Sequence, residues 1–376
     1  MVKVLFIFGT RPEAIKMAPL IKELKRDSFF HVNVCVTGQH RHLLDQVLDF
    51  FNIKPDYDCN IMQPHQDLFD ITEASLRLLK NVLADSKPDV VIVQGDTTTA
   101  FAGALSAYYA KVKIVHLEAG LRSDNKYSPF PEEINRALID RMADYCFAHT
   151  EKAVSNLHAE GINERIWNTG NTVVDALYDG LKIIRDKNLS YEREFPGVQF
   201  NGKILLITCH RRESFGEPFR EICGAFADIA EQNKDIELVY PVHPNPSVRD
   251  QVYKLLGSIS NIHLLEPLDY PRLIWLMSKS YLVLTDSGGI QEEAPALGKP
   301  VLVLRDVTER PEGLIAGCAK LVGTSRTKIV NEVSALLNSR SAYEAMARAQ
   351  NPYGDGSTSQ KIAQILRNSA ITEGQP

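Results

Sequence analysis

The stretch Gly9-Thr10-Arg11-Pro12-Glu13-Ala14-Ile15-Lys16 directly follows an apolar run and puts two cations, Arg11 and Lys16, near the start of a helix. A helix start already favours anions through its unpaired amides, so Arg11 and Lys16 are candidates for holding a phosphate. Thr10 and Glu13 have capping-box spacing and Pro12 falls in the first turn, so helix initiation alone explains those three. The stretch contains neither G-x-G-x-x-G nor G-x-x-x-x-G-K-[ST], which weakens both a nicotinamide-dinucleotide and a Walker-type ATP reading.

Carboxylates gather further along the first half. Asp96, in Gly95-Asp96-Thr97-Thr98-Thr99, follows the apolar run Val90–Val93 and suits either a helix N-cap or proton transfer. Glu118 follows Val115-His116-Leu117 in the same way, and Ala119-Gly120 suggests an open backbone there. Two carboxylates at neighbouring strand ends, if unpaired in a shared cleft, would have shifted pKa values suited to acid/base work. Glu132-Glu133 follows Pro129-Phe130-Pro131, where the helix dipole alone explains acids at a helix start.

In the second half, Thr208-Cys209-His210-Arg211-Arg212-Glu213 ends an apolar run with a histidine and two arginines. His210 is suited to binding or protonating a phosphate leaving group, or to a structural partner. Asp286-Ser287-Gly288-Gly289 offers a hydroxyl and glycine amides at a helix start, a cradle for a diphosphate or a plain strand-to-helix turn. Glu293 lies too deep in that helix to cap it, which leaves ribose hydroxyls or an outward ion pair as its partner.

These groups need strands to present them. Val2–Phe8, Val32–Thr37, Val90–Gln94, Lys113–Leu117 and Tyr145–Ala148 read as strands, separated by amphipathic stretches such as Leu68–Ala84. A helix over Val173–Lys187 precedes Asn188–Gly202, whose Pro196, Gly197 and Gly202 suit a hinge. The alternation restarts with Lys203–Thr208, Ile236–Tyr240, Ile262–Leu265, Tyr281–Thr285 and Pro300–Leu304. The expected fold is α/β, two doubly wound parallel-sheet domains. Residues 1–187 form the first domain, 188–202 the linker and 203–356 the second domain, with a terminal segment over 357–376.

With 376 residues, 44% hydrophobic and 24% charged, the chain has the composition of a globular protein. Forty-two Lys+Arg against 47 Asp+Glu argue against a broad nucleic-acid or anionic-lipid footprint. No apolar run approaches the ~20 residues that cross a bilayer, and the N-terminus reads as a strand rather than a signal peptide, so a cytoplasmic location is expected. The six cysteines include no C-x-x-C pair and suggest buried thiols rather than a zinc site or disulfide framework.

Taken together, F-G-T-R-P-E-A-I-K-M-A-P (Phe8–Pro19), Gly95–Thr99, H-L-E-A-G-L-R (His116–Arg122) and Y-S-P-F-P-E-E-I-N-R (Tyr127–Arg136) form the first half of an ordered set. T-G-N-T-V-V-D-A-L (Thr169–Leu177), H-R-R-E-S-F-G (His210–Gly216), D-S-G-G-I-Q-E-E-A-P (Asp286–Pro295), T-E-R-P-E (Thr308–Glu312) and N-P-Y-G-D-G (Asn351–Gly356) complete it. The set resembles the non-hydrolysing UDP-N-acetylglucosamine 2-epimerases of bacteria over nearly the whole chain. The resemblance implies two Rossmann-like domains of GT-B type with an interdomain active-site cleft, a C-terminal helix crossing back to the first domain, a homodimer, and no NAD or metal. It also implies interconversion of UDP-N-acetylglucosamine and UDP-N-acetylmannosamine by loss and re-addition of UDP through 2-acetamidoglucal.

By that resemblance Asp96, Glu118, Glu132 and His210 are catalytic. Arg11, Lys16, Asp96, Glu118, His210, Ser287, Gly288, Gly289, Glu293 and Arg310 contact the UDP-sugar. Gln39-His40-Arg41 matches a segment through which relatives bind a second UDP-N-acetylglucosamine as activator, and Gln39, His42, His65 and His243 are the allosteric candidates. Competing readings are a hydrolysing epimerase, a GT-B glycosyltransferase, which a required acceptor would reveal, and a silent UDP-sugar sensor, which would bind without turnover.

Overall fold

The computed structural model describes residues 1–38, 41–63, 66–209 and 216–369, without the side chains of Arg41, His42 and Ser247. The described chain divides into two compact units, Met1–Asp179 with Tyr353–Pro376, and Gly180–Pro352. No helix among the described residues is long and apolar enough to cross a membrane.

The first unit has strands β1 (Val2–Phe8), β2 (Phe30–Val36), β3 (Tyr57–Asp58), β4 (Val90–Gln94), β5 (Lys113–Ala119), β6 (Tyr145–Ala148) and β7 (Ile166–Asn168). They form one sheet in the order β3-β2-β1-β4-β5-β6-β7, with every pairing parallel. Helices α1 (Arg11–Arg26), α2 (Arg41–Phe51), α3 (Leu68–Ser86), α4 (Thr98–Tyr109), α5 (Glu132–Met142), α6 (Glu151–Ala159) and α7 (Thr172–Asp186) alternate with them. Val90, Val91, Ile92 and Val93 are all fully buried, as a continuous apolar strand covered on both faces must be.

The second unit repeats the plan. Strands β8 (Lys203–Thr208), β9 (Ile236–Pro241), β10 (Ile262–Leu265), β11 (Leu282–Thr285), β12 (Val301–Val303) and β13 (Ala319–Leu321) form a parallel sheet in the order β10-β9-β8-β11-β12-β13. Its helices are α8 (Glu217–Gln232), α9 (Pro246–Leu256), α10 (Tyr270–Lys279), α11 (Gly288–Ala296), α12 (Pro311–Ala316), α13 (Arg326–Asn338) and α14 (Arg340–Ala347). The doubly wound expectation holds in both units. The short edge strands β3, β7 and β13 had no counterpart in the sequence reading, because two or three residues carry too little alternation to register.

The stretch expected as a linker, 188–202, carries a single 3-10 turn at Glu192–Glu194. Its aromatic residues pack within the second unit, with Phe195 stacked on Trp275 at 5.6 Å between ring centroids and Phe200 edge-on at 5.2 Å. The last helix, α15 (Thr358–Asn368), belongs to the first unit. Asp175 on α7 accepts hydrogen bonds from the Ser359 amide at 2.7 Å and the Thr358 amide at 3.3 Å, and Arg367 pairs with Asp27 at 2.6 Å.

Candidate functional site

Sheets of this kind bind ligands beyond the strand C-termini where the winding reverses. In the first unit that point lies between β1 and β4, and the loops there are Gly9-Thr10 and Gly95-Asp96-Thr97. Glu13 ties them together: its buried carboxylate accepts from the Thr10 amide (2.8 Å), the Thr10 hydroxyl (2.7 Å) and the Thr97 hydroxyl (2.7 Å). Burial pushes the Glu13 carboxyl up, and the threonine and glycine donors partly offset this. A Cβ at Gly9 would stand 2.2 Å from the Thr37 hydroxyl and 2.6 Å from the Thr99 hydroxyl, so glycine is what fits there. Arg11, next in sequence, is half-buried at the first position of α1.

Glu118 occupies the irregular end of β5, with φ at +68° beside a register shift between Leu117 and Ala119. A non-glycine residue held in the left-handed region stores backbone strain, a feature that clusters at working sites. Three donors from three separate elements converge on its Oε2: Lys16 Nζ, Gln94 Nε2 at 2.7 Å and Asn171 Nδ2 at 3.4 Å. Lys16 therefore lies against a carboxylate inside the first unit, where the sequence had suggested a phosphate ligand. Asn171 is braced in turn by its amide, which donates to the Tyr353 carbonyl at 2.6 Å.

Asp96 is equally held. Its carboxylate pairs with Arg136 on α5 and its carbonyl accepts from Asn135 Nδ2 at 2.9 Å. Both carboxylates are thus paired, because α1 brings Lys16 to Glu118 and α5 brings Arg136 to Asp96. Glu133, the second acid of the pair, is spent on structure, accepting from the Ser123 amide at 3.0 Å and the Asp124 amide at 3.1 Å. Its neighbour Glu132 differs: Oε2 is buried with no hydrogen-bond partner among the described residues. A buried oxygen left this way is costly unless something else meets it, which marks Glu132 as the acid of the pair open to a ligand.

The sequence reading missed a buried chain behind these groups. His116, completely inaccessible, contacts Asp140 Oδ1 through Nδ1 at 2.6 Å and the Gly95 carbonyl through Nε2 at 2.8 Å. Asp140 also meets Arg122 at 2.7 Å and accepts from the Gly120 amide at 3.1 Å. Burial pushes the Asp140 carboxyl up, but His116 and Arg122 outweigh it and hold the group below the usual carboxylate range. Gly120 does not keep the backbone open as expected, since a Cβ there would lie 2.2 Å from the Ala153 carbonyl. One signal was present: Glu132, Arg136 and Asp140 recur at four-residue steps, one stripe of a helix.

In the second unit the winding reverses between β8 and β11. The turn after β11 places Ser287 as N-cap of α11, with the Ser287 amide donating to Thr285 Oγ1 at 2.9 Å and the Thr208 hydroxyl to the same oxygen at 2.7 Å. A Cβ at Gly288 would lie 3.8 Å from the Arg310 guanidinium, so the guanidinium stands beside the glycine turn. Arg310 is 8% exposed and pairs with the fully buried Glu292. Glu293 is 6% exposed. His243 is exposed and accepts from the Asn245 amide at 3.2 Å. His210, Gln39 and His65 lie outside the described residues, as does the side chain of His42. No cluster able to hold a metal ion occurs among the described residues.

Residues 22–367 match the family model of UDP-N-acetylglucosamine 2-epimerase. The UDP-N-acetylglucosamine 2-epimerase of Escherichia coli K12 is 52% identical over 378 aligned positions, covering 98% of this chain and all of that one.

This chain belongs to the UDP-N-acetylglucosamine 2-epimerase family.

The Neisseria meningitidis family member, solved bound to UDP-GlcNAc, superposes with a TM-score of 0.91 at 48% identity, covering 98% of this chain and 100% of that chain. The glycosyltransferase SnogD from Streptomyces nogalater shares the GT-B-type fold alone, at 16% identity and a TM-score of 0.59, over 97% and 99% of the two chains. Membership makes the chain an isomerase.

Proposed function

We propose that the protein interconverts UDP-N-acetylglucosamine and UDP-N-acetylmannosamine without hydrolysis, by eliminating UDP and adding it back. The C2 hydrogen has no adjacent carbonyl to acidify it, so direct proton removal and return is unfavourable. Elimination takes the proton from C2, breaks the C1–O bond to UDP and forms the C1=C2 bond of 2-acetamidoglucal; re-addition reverses these changes with the proton arriving on the opposite face. No net redox change occurs, and the step calls for neither NAD nor a metal.

The observation that carries this reading is the carboxylate trio of Asp96, Glu118 and Glu132 at the ends of β4 and β5 and the start of α5. Glu118 Oε2 accepts from three donors, which hold the carboxylate in place as a base or electrostatic group. We assign the diphosphate to Ser287, Gly288, Gly289 and Arg310, with Arg11 and His210 supporting the leaving group and Glu293 the ribose. Lys16 orients Glu118 in this scheme. The homodimer, the cytoplasmic location, a second UDP-N-acetylglucosamine as activator near Gln39, His42, His65 and His243, and supply of N-acetylmannosamine units to surface polysaccharides complete the proposal on the strength of the motif resemblance.

Incubation with UDP-N-acetylglucosamine in heavy water, followed by NMR of both epimers, tests it. Deuterium at C2 of UDP-linked N-acetylmannosamine is expected. Product that keeps its original C2 hydrogen overturns the elimination, and release of free N-acetylmannosamine with UDP shows a hydrolysing enzyme instead.

A further inference from the structure

His116 has an acceptor at each ring nitrogen. The Gly95 carbonyl, 2.8 Å from Nε2, can only accept, so Nε2 carries a hydrogen. Asp140, 2.6 Å from Nδ1, acts as an acceptor, because its Oδ2 already faces the Arg122 guanidinium and accepts from the Gly120 amide, as a carboxylate does. Nδ1 therefore carries a hydrogen as well. A neutral imidazole has one donor and would leave one acceptor facing a lone pair.

We propose that His116 is a buried imidazolium, donating from both ring nitrogens, and that, with Asp140, it is a positioning pair for catalysis, locking the two loops that carry Asp96 and Glu118. The pair reaches both loops through backbone. His116 grips the Gly95 carbonyl one residue before Asp96, and Gly95 is also bound through its amide to the Leu117 carbonyl at 3.0 Å. Asp140 grips the Gly120 amide two residues after Glu118, while His116 lies two residues before it on the same strand. Arg122 closes the far end, reaching Glu160 at 2.6 Å and 2.7 Å. One helix supplies the anchors, since Arg136 on Asp96 and Asp140 on His116 lie one turn apart on α5. Neither His116 nor Asp140 touches substrate in this account; they fix where the acting carboxylates stand.

The inference rests on the proposed roles of Asp96 and Glu118, and its test separates the two. In wild-type protein labelled with nitrogen-15 at histidine, the His116 ring, assigned by its loss in His116→Gln, is expected to show two protonated nitrogens with slowly exchanging hydrogens. One unprotonated nitrogen overturns the buried imidazolium. Asp140→Asn is expected to lower kcat on the order of 100-fold, the scale of a misplaced catalytic group, with KM changed less than about 3-fold. If kcat per folded molecule is unchanged while only the melting temperature falls, the pair is merely structural and the positioning role is overturned. Full activity in Asp96→Asn would instead remove the proposed role of Asp96 and leave the nitrogen result standing.

Discussion

The two sheets reverse their winding at equivalent places, after β1 and β4 in one unit and after β8 and β11 in the other, yet the residues there are built differently. In the first unit the strand ends carry acids, each pinned by its own donors: Glu13 by Thr10 and Thr97, Glu118 by Lys16, Gln94 and Asn171, Asp96 by Arg136. In the second the turn after β11 carries one acid, the fully buried Asp286, followed by the small residues Ser287, Gly288 and Gly289, with the cation Arg310 beside them braced by Glu292. Acids held by fixed donors suit proton movement, whereas amides and a braced guanidinium suit an anion that comes and goes. One topology thus carries two different sets of groups, and the difference lies in the residues that follow the strands.

The contrast predicts separable defects. Glu118→Gln is expected to lower kcat by about 10²–10⁴-fold while UDP affinity, measured by calorimetry, stays within about 2-fold. If UDP binding fell in step with turnover, the division of labour would be wrong. Arg310→Ala leaves the fully buried Glu292 without its cation and is expected to cost about 3–5 kcal/mol of stability, together with weaker UDP binding. Arg310→Ala protein that keeps its UDP affinity would break the comparison on the other side.

Smaller effects sharpen it. Gly9→Ala forces a methyl against the Thr37 and Thr99 hydroxyls and is expected to cost about 1–3 kcal/mol in denaturant unfolding. Glu13 supplies the smallest effect, visible as a slope. Its folded pKa lies above the ordinary value of 4.5 because of burial, so its contribution is fully present below that pH and is lost as pH rises through the folded value. The stability of the wild type relative to Glu13→Gln should therefore decline as pH climbs from 4.5, and parallel melting curves across that range would show the carboxylate to be unperturbed.

Much of this was readable in one dimension. The strands Val2–Phe8, Val90–Gln94, Tyr145–Ala148, Lys203–Thr208 and Ile262–Leu265 were expected with the bounds observed, because buried parallel strands appear as apolar runs ended by polar turns. The positions of Asp96, Glu118 and Ser287 at strand ends followed from the same runs. Their partners did not: Lys16 reaches Glu118 across 102 residues and Arg136 reaches Asp96 across 40. Such pairings depend on strand order, which local alternation does not reveal. His116 looked like part of a strand motif, and its role emerged only once α5 placed Asp140 against it.

By itself, the order of residues determined the alternation of strands and helices, the helix starts, and which side chains stand at the strand ends, since these follow from periodicity and capping within a few neighbouring residues. Tertiary structure alone decided which acid is pinned by which cation, that Glu133 serves a loop while Glu132 Oε2 has no bonded partner among the described residues, and that His116 lies between two acceptors. The reason is physical: hydrogen bonds and ion pairs act over a few ångströms in space, and only the folding of the sheet brings those atoms within range.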